Sequence, residues 1–337
     1  MSGQAGSSLE PGWVDLGLHG YNVVHIELDW PYLYAAAESA GLLRLKADDP
    51  GAEWTVIGFD TTKVISEYRG VYDVVVLDNG DILAGLDRGM PHSTGLYRSS
   101  DGGESWEPSD TGMADEEIEY SSVVRSLAAG PDGSGLVFAA GYGLYRSEDR
   151  GNTWSLVWGD PKGYGSSFHE VVCNPSASAV LWAGGHTPMW FPVLLGSADG
   201  GQTWALQWEA IKLTGSNDVV SLAVDPADAG VAYVGRQYCG MIRTEDGGAT
   251  WVQAAGPDAS TLPHEKAHMG AIEPDESKPG HLFFAGGDVL YESWDGARTA
   301  EVLECPTPEV IADLAYDESH KALYLATRGR VIRYIPE

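Results

Sequence analysis

Ser197-Ala198-Asp199-Gly200-Gly201-Gln202-Thr203-Trp204 is one copy of a recurring pattern. Gap-free counterparts run from Ser99 to Trp106, Ser147 to Trp154 and Thr244 to Trp251. A decayed copy runs from Ser293 to Ala300, and a looser one, with an extra residue, from Lys46 to Trp54. The copies return roughly every fifty residues, the period of a supersecondary unit that buries its apolar faces by stacking on its own copies.

Each unit has the same grammar. In the fifth, Val219-Val220-Ser221-Leu222-Ala223-Val224 reads as a buried strand and Asp225–Gly230 as a turn. Val231–Gly235 is a second strand, Gly240–Arg243 begins a third, the Asp-Gly-Gly turn follows, and Trp251-Val252-Gln253 is a fourth. Short strands rich in Val, Tyr and Trp between Gly and Asp turns make a four-stranded antiparallel meander, and no segment with helical periodicity competes. Meanders of this size repeated along a chain build an all-β propeller. First strands are expected at Val23–Leu28, Val71–Leu77, Val123–Ala128, Phe168–Cys173, Val219–Val224, Ala267–Ile272 and Val310–Tyr316, which gives seven blades. The last blade lacks its own fourth strand. Residues 11–17, with Trp13, supply it and close the ring, leaving no free edge. The whole chain, residues 1–337, then forms one domain, with residues 1–10 a flexible tail.

Acidic residues outnumber basic ones by 49 to 20, for a net charge of −29. That field repels phosphate backbones, which excludes general nucleic-acid and anionic-membrane binding. It suits a salt-adapted source or ordinary solubility equally. A hydrophobic share of 43% is that of a folded core, and the longest aliphatic run, Val74–Leu77, is too short to span a bilayer. Cys173, Cys239 and Cys305 are odd in number and have no paired spacing, and Met1–Ser8 has neither basic nor apolar stretch. A cytoplasmic, reducing location is therefore expected.

The eight-residue segments resemble the Asp-box, or bacterial neuraminidase repeat, Ser-x-Asp-x-Gly-x-Thr-Trp, and the likeness covers essentially the whole chain. Sialidases, xyloglucanases, sortilin-like receptors and photosystem II assembly factors share this look; small one-domain bacterial members are the most similar in length. The resemblance implies a fold and leaves function open. In such a turn Asp accepts backbone N–H groups, Gly supplies φ > 0 and Trp packs between sheets, so these Asp residues are structural. Sialidase chemistry would need an Arg cluster, for which Arg69, Arg125, Arg236 and Arg328 are available, with Tyr238 and Glu170 in reach. The family's Phe/Tyr-Arg-Ile-Pro segment is absent, since Gly17–Asp29 has no Arg, so sialidase activity is not expected. Xyloglucanases resemble paired propellers, and one ring forms no such cleft. Assembly factors carry an arginine-rich patch that this acidic chain does not show.

Propeller pockets open where inner strands converge at the axis, on the face opposite the Asp-box turns. Aligned on their terminal Asp, Asn or Glu, the first strands give one column of Val24, Asp73, Arg125, His169, Val220, His268 and Ala312. The neighbouring column is His25, Val74, Ser126, Glu170, Ser221, Met269 and Asp313. Four polar side chains stand in the first column where a plain core would be apolar. His169, His268, Asp73 and Glu170 are the catalytic candidates. Arg125 would hold an anionic or polar group, with Arg236, Tyr238, His92, His186 and Trp190 lining the site from long upper loops. Trp190 and Phe191 suit stacking on a ring or packing over the rim.

His264-Glu265-Lys266-Ala267-His268 spells the zincin pattern, which requires a helix, whereas the repeat puts His268 in a strand. A divalent metal held by His169 and His268, with help from His92 or His186, is the more plausible cofactor. No serine-hydrolase elbow, phosphate loop or zinc-spaced cysteine pair is present, and Cys239 alone reads as inert. The expected function is a hydrolase or lyase acting on a small polar molecule or glycan at the top of the channel. The alternative is a non-catalytic ring that binds a protein or ligand.

Overall fold

The residues described by a computed structural model are 11–38, 40–59, 70–86, 95–113, 123–131, 133–159, 166–177, 179–214, 218–256 and 269–336. They form seven four-stranded antiparallel sheets, and in six of these the strands lie side by side in chain order. The inner strands are Val23–Asp29, Val71–Val76, Val124–Ala129, Ser167–Cys173, Val219–Val224, Met269–Pro274 and Ile311–Asp317. The seventh sheet is completed from the other end of the chain. Gly12–Gly17 pairs antiparallel with Val331–Ile335, and Trp13 stacks on its partner Tyr334 with ring centroids 4.5 Å apart. The ring closes as the sequence predicts.

One element was not expected. Trp208–Thr214 forms a two-turn helix between blades four and five, anchored by fully buried Ala210. Among the described residues, no helix is long and apolar enough to cross a membrane.

The Asp-box turns hold themselves together as their chemistry dictates. Asp101 Oδ1 accepts the Ser105 amide at 2.9 Å and the Ser99 hydroxyl at 2.7 Å, while Ser99 Oγ accepts the Gly103 amide at 2.8 Å. The Ser105 hydroxyl, with the Ser105 amide and the Ser99 hydroxyl, holds the Asp101 carboxyl down at about 2. The Trp residues then tie blades together. The indole N–H of Trp54 donates to the Leu16 carbonyl at 2.7 Å, Trp106 to Ile57 at 2.8 Å and Trp154 to Ser109 at 2.7 Å, each time on the preceding blade.

All seven inner strands carry a β-bulge at one equivalent residue: Val24, Tyr72, Arg125, His169, Val220, Gly270 and Ala312. A bulge inserts an unpaired residue and re-aims its side chain. The following residue in each blade is His25, Asp73, Ser126, Glu170, Ser221, Ala271 or Asp313, and its ladder partner on the second strand is always Ala or Gly.

That second column staples each blade to the next. Asp73 Oδ2 accepts the Leu127 amide at 2.7 Å, Glu170 Oε2 the Leu222 amide at 2.9 Å, and Asp313 Oδ2 the Ile26 amide at 2.9 Å. Ser126 Oγ accepts the Val171 amide at 3.2 Å, and Ser221 Oγ donates to the Met269 carbonyl at 3.2 Å. Blade six has Ala271 there, and Glu273, two residues on, accepts the Tyr316 amide at 3.0 Å instead.

Candidate functional site

Of the bulge residues described, Arg125 and His169 alone carry a guanidinium or an imidazole, and they sit on adjacent blades. They touch: Arg125 Nη1 lies 3.2 Å from His169 Nδ1. Guanidinium has donors only, so Nδ1 must accept, and the ring proton resides on Nε2. Nε2 in turn lies 3.2 Å from Oδ2 of buried Asp218, which immediately precedes the inner strand of blade five. The angle there is poor, and Nε2 makes no hydrogen bond of acceptable geometry among the described residues.

His186 completes the cluster. It ends the second strand of blade four, paired with Ser167, and its ring centroid is 5.1 Å from that of His169. Its Nδ1 donates to the Thr187 carbonyl at 2.8 Å, which puts the lone pair of the neutral ring on Nε2. Trp190 lies stacked on His186, with centroids 4.1 Å apart and planes 17° from parallel. A tight turn produces this: the Trp190 amide donates to the Thr187 carbonyl, Thr187 Oγ1 accepts the Phe191 amide at 3.1 Å, and Trp190 takes a left-handed φ of 59°. Met189, Trp190 and Phe191 are 75%, 57% and 59% exposed, making an apolar lip beside a polar cluster.

His169, His186 and Asp218 each offer one ligand atom, and the three atoms lie within 4.8 Å of one another. Two imidazoles and a carboxylate at that spacing form a group able to hold a divalent cation. The Nδ1-to-carbonyl bond of His186 is the outer-shell contact that usually orients a ligating imidazole. The donor set therefore fits a metal such as zinc.

The other candidates lie elsewhere. Asp73 is one residue further along its strand than aligned, because the terminal residue of blade two's strand corresponds to Leu77 rather than Asp78. Its true counterpart beside Arg125 and His169 is Tyr72. In blade six the equivalent terminal residue is Asp275 rather than Glu273, which makes Gly270 the column member in place of His268. His268 and His92, with Arg69 and the zincin-like segment, lie outside the described residues. Arg236 is buried, its guanidinium occupied by the Cys239 and Gly240 carbonyls and by Gln253 Oε1, so it holds its own loop. Tyr238 sits on that turn with φ 61°.

Asp73 and Glu170 belong to a second polar cluster in the axial cavity, which has a volume of about 620 Å³. The cavity is lined by His25, Glu27, Asp73, Glu170, Glu273 and Asp313, among others. His25 bridges Asp73 at 2.9 Å and Asp313 at 2.8 Å. Burial opposes the imidazolium, but the two carboxylates outweigh it and hold His25 well above its ordinary range. Burial raises Glu27 to about 7 and lifts Glu170 and Glu273 well above the usual carboxylate range. The staples account for these groups: each Glu accepts an amide of the next blade, and His25 joins blades seven and two across blade one.

No family model and no curated protein matches the chain. Solved structures do. The extracellular domain of a protein described as a hybrid two component system of B. thetaiotaomicron is similar at a TM-score of 0.66 and 14% identity, over 96% of this chain and 40% of that one. A GH74 enzyme of Niastella koreensis is similar at 0.67 and 16%, over 95% of this chain and 53% of that one. YCF48 bound to a D1 peptide is similar at 0.67 and 15%, over 98% of both chains.

The likeness is one of fold. The chain spans about half or less of the first two structures and essentially all of the third. The fold is thus shared by a GH74 enzyme and by a protein solved with a peptide bound.

Proposed function

We propose that the protein is a metal-assisted hydrolase or lyase acting on a small polar molecule or glycan at the upper mouth of the ring. The observation that carries this is the convergence of His169, His186 and Asp218 within 4.8 Å, with a guanidinium in contact with one of them. His169, His186 and Asp218 would hold the ion, whose contribution is to polarise an oxygen of the bound molecule. Arg125 would receive an anionic group, and the exposed Trp190 face would stack on a ring. Propellers that share the fold include a GH74 enzyme, which supports a hydrolytic use of such a scaffold.

A second reading is a binding ring without chemistry. It is favoured by the full-length likeness to YCF48, which was solved with a peptide bound, and by the Met189-Trp190-Phe191 lip. Metal analysis of the purified full chain, with the H169A and D218A variants, separates the two. The enzyme reading expects about one zinc per chain, lost in both variants with the fold retained. A folded protein that takes up no divalent metal, and whose ligand binding is abolished by W190A alone, supports the binding ring and contradicts the first reading.

A further inference from the structure

We propose that Arg125 and a divalent cation compete for His169, so that loading the cation releases the Arg125 guanidinium to receive an oxyanion. The inference rests on the metal reading above and adds to it a coupling between two ligands.

A single proton on the His169 ring decides between the two partners. Neutral imidazole carries one N–H and one lone pair. With Arg125 Nη1 at 3.2 Å from Nδ1, the lone pair is committed to the guanidinium and the proton faces Asp218. A cation at Nε2 needs the lone pair on that side, so the proton moves to Nδ1. Two donors then face each other across the Arg125–His169 contact, and a guanidinium is left beside a new positive charge. Both effects expel Arg125 from His169.

The released group has spare capacity. Arg125 Nε is buried and makes no hydrogen bond among the described residues. A planar guanidinium freed from its imidazole matches a carboxylate through two parallel bonds. Cation and carboxylate therefore assist each other without sharing a ligand atom, and linkage requires the assistance to be equal in both directions. In the cation-free protein Arg125 holds His169 in the tautomer that cannot ligate through Nε2, which guards the site against loading in the absence of an anion.

Calorimetry on the full chain tests this, with zinc as the cation and benzoate as the carboxylate probe. Benzoate should bind roughly tenfold more tightly to the zinc-loaded than to the zinc-free protein, and zinc should gain the same factor from benzoate. R125Q should bind zinc more tightly than the wild type and show no coupling. Nitrogen-15 spectra of the wild type should place the His169 proton on Nε2 without zinc and on Nδ1 with it. Zinc binding of equal affinity in the wild type and R125Q, or coupling that persists in R125Q, overturns this inference while leaving the metal reading intact. Absence of zinc binding in both proteins overturns both.

Discussion

His169 Nε2 lies 3.2 Å from Asp218 Oδ2 across the seam between blades four and five, with Arg125 of blade three on the other side of the same ring. Three consecutive blades thus meet at one imidazole: the bulges bring Arg125 and His169 there, and Asp218 reaches it from just before the inner strand of blade five.

The bulge depends on room opposite it. A Cβ added at Gly185 would sit 2.0 Å from the Ser167 carbonyl oxygen and 2.8 Å from Phe168 Cα, both backbone atoms that cannot swing aside. Gly185→Ala should therefore destabilise the fold by about 1–3 kcal/mol, the usual cost of overpacking, and weaken zinc binding by moving His169. Chemical denaturation and zinc calorimetry on one preparation check both. Unchanged stability would show that the strand pair yields more easily than its geometry indicates.

The axial cluster sets a pH dependence. Glu27 keeps its proton to about 7 when folded, against 4.5 as its ordinary value, so the folded chain binds more protons between those values and stability falls as pH rises through them. His25, raised well above 6.5, acts in the same direction: its contribution is complete below that value and is lost as pH climbs through its elevated one. The melting temperature should be higher at pH 5 than at pH 8. Glu27→Gln, whose amide oxygen can still accept from Val76, should reduce the difference in unfolding free energy between pH 5 and pH 8 by on the order of 2 kcal/mol. A melting temperature that rises from pH 5 to pH 8 contradicts this account of the cavity.

Trp154 donates its indole N–H to the Ser109 carbonyl at 2.7 Å and is almost fully buried. Trp154→Phe leaves a buried carbonyl short of a partner and should cost about 1–3 kcal/mol. Trp106→Phe, at a less buried position, should cost less. Equal losses measured by denaturation would show that burial of the freed carbonyl does not set the cost.

Removing residues 1–17 strips the closing strand from Val331–Ile335 and bares a full strand edge. The shortened chain should self-associate or fail to fold, as read by size-exclusion chromatography. A stable monomer would show that the seventh blade does without its fourth strand.

The sequence made the ring legible because its repeat is carried by local chemistry. Asp, Gly and Trp at fixed spacing specify a turn and an inter-blade contact whatever surrounds them, and Trp13 could be recognised as the missing end of the last blade. The site was legible only in part. His169, Arg125 and His186 stood out as polar residues at inner-strand or upper-loop positions. Asp218 was missed because it precedes its strand, in a column that holds Asn22, Gly70 and Ser167 in other blades and has no common chemistry. The one-residue error at Asp73 arose because Leu77 stands where five other blades place an Asp or Asn at the strand's end, so the alignment slid to Asp78. Such a slip moves a side chain from the upper cluster to the axial ring, since neighbouring strand residues point in different directions.

The convergence of His169, His186 and Asp218 is tested most directly by anomalous diffraction at the zinc edge from crystals of the full chain soaked in zinc. The account predicts a strong peak bonded to His169, His186 and Asp218 at the upper mouth, with the Arg125 side chain turned away from His169. Zinc density absent from that cluster, with the three side chains ordered and Arg125 still on His169, would contradict it.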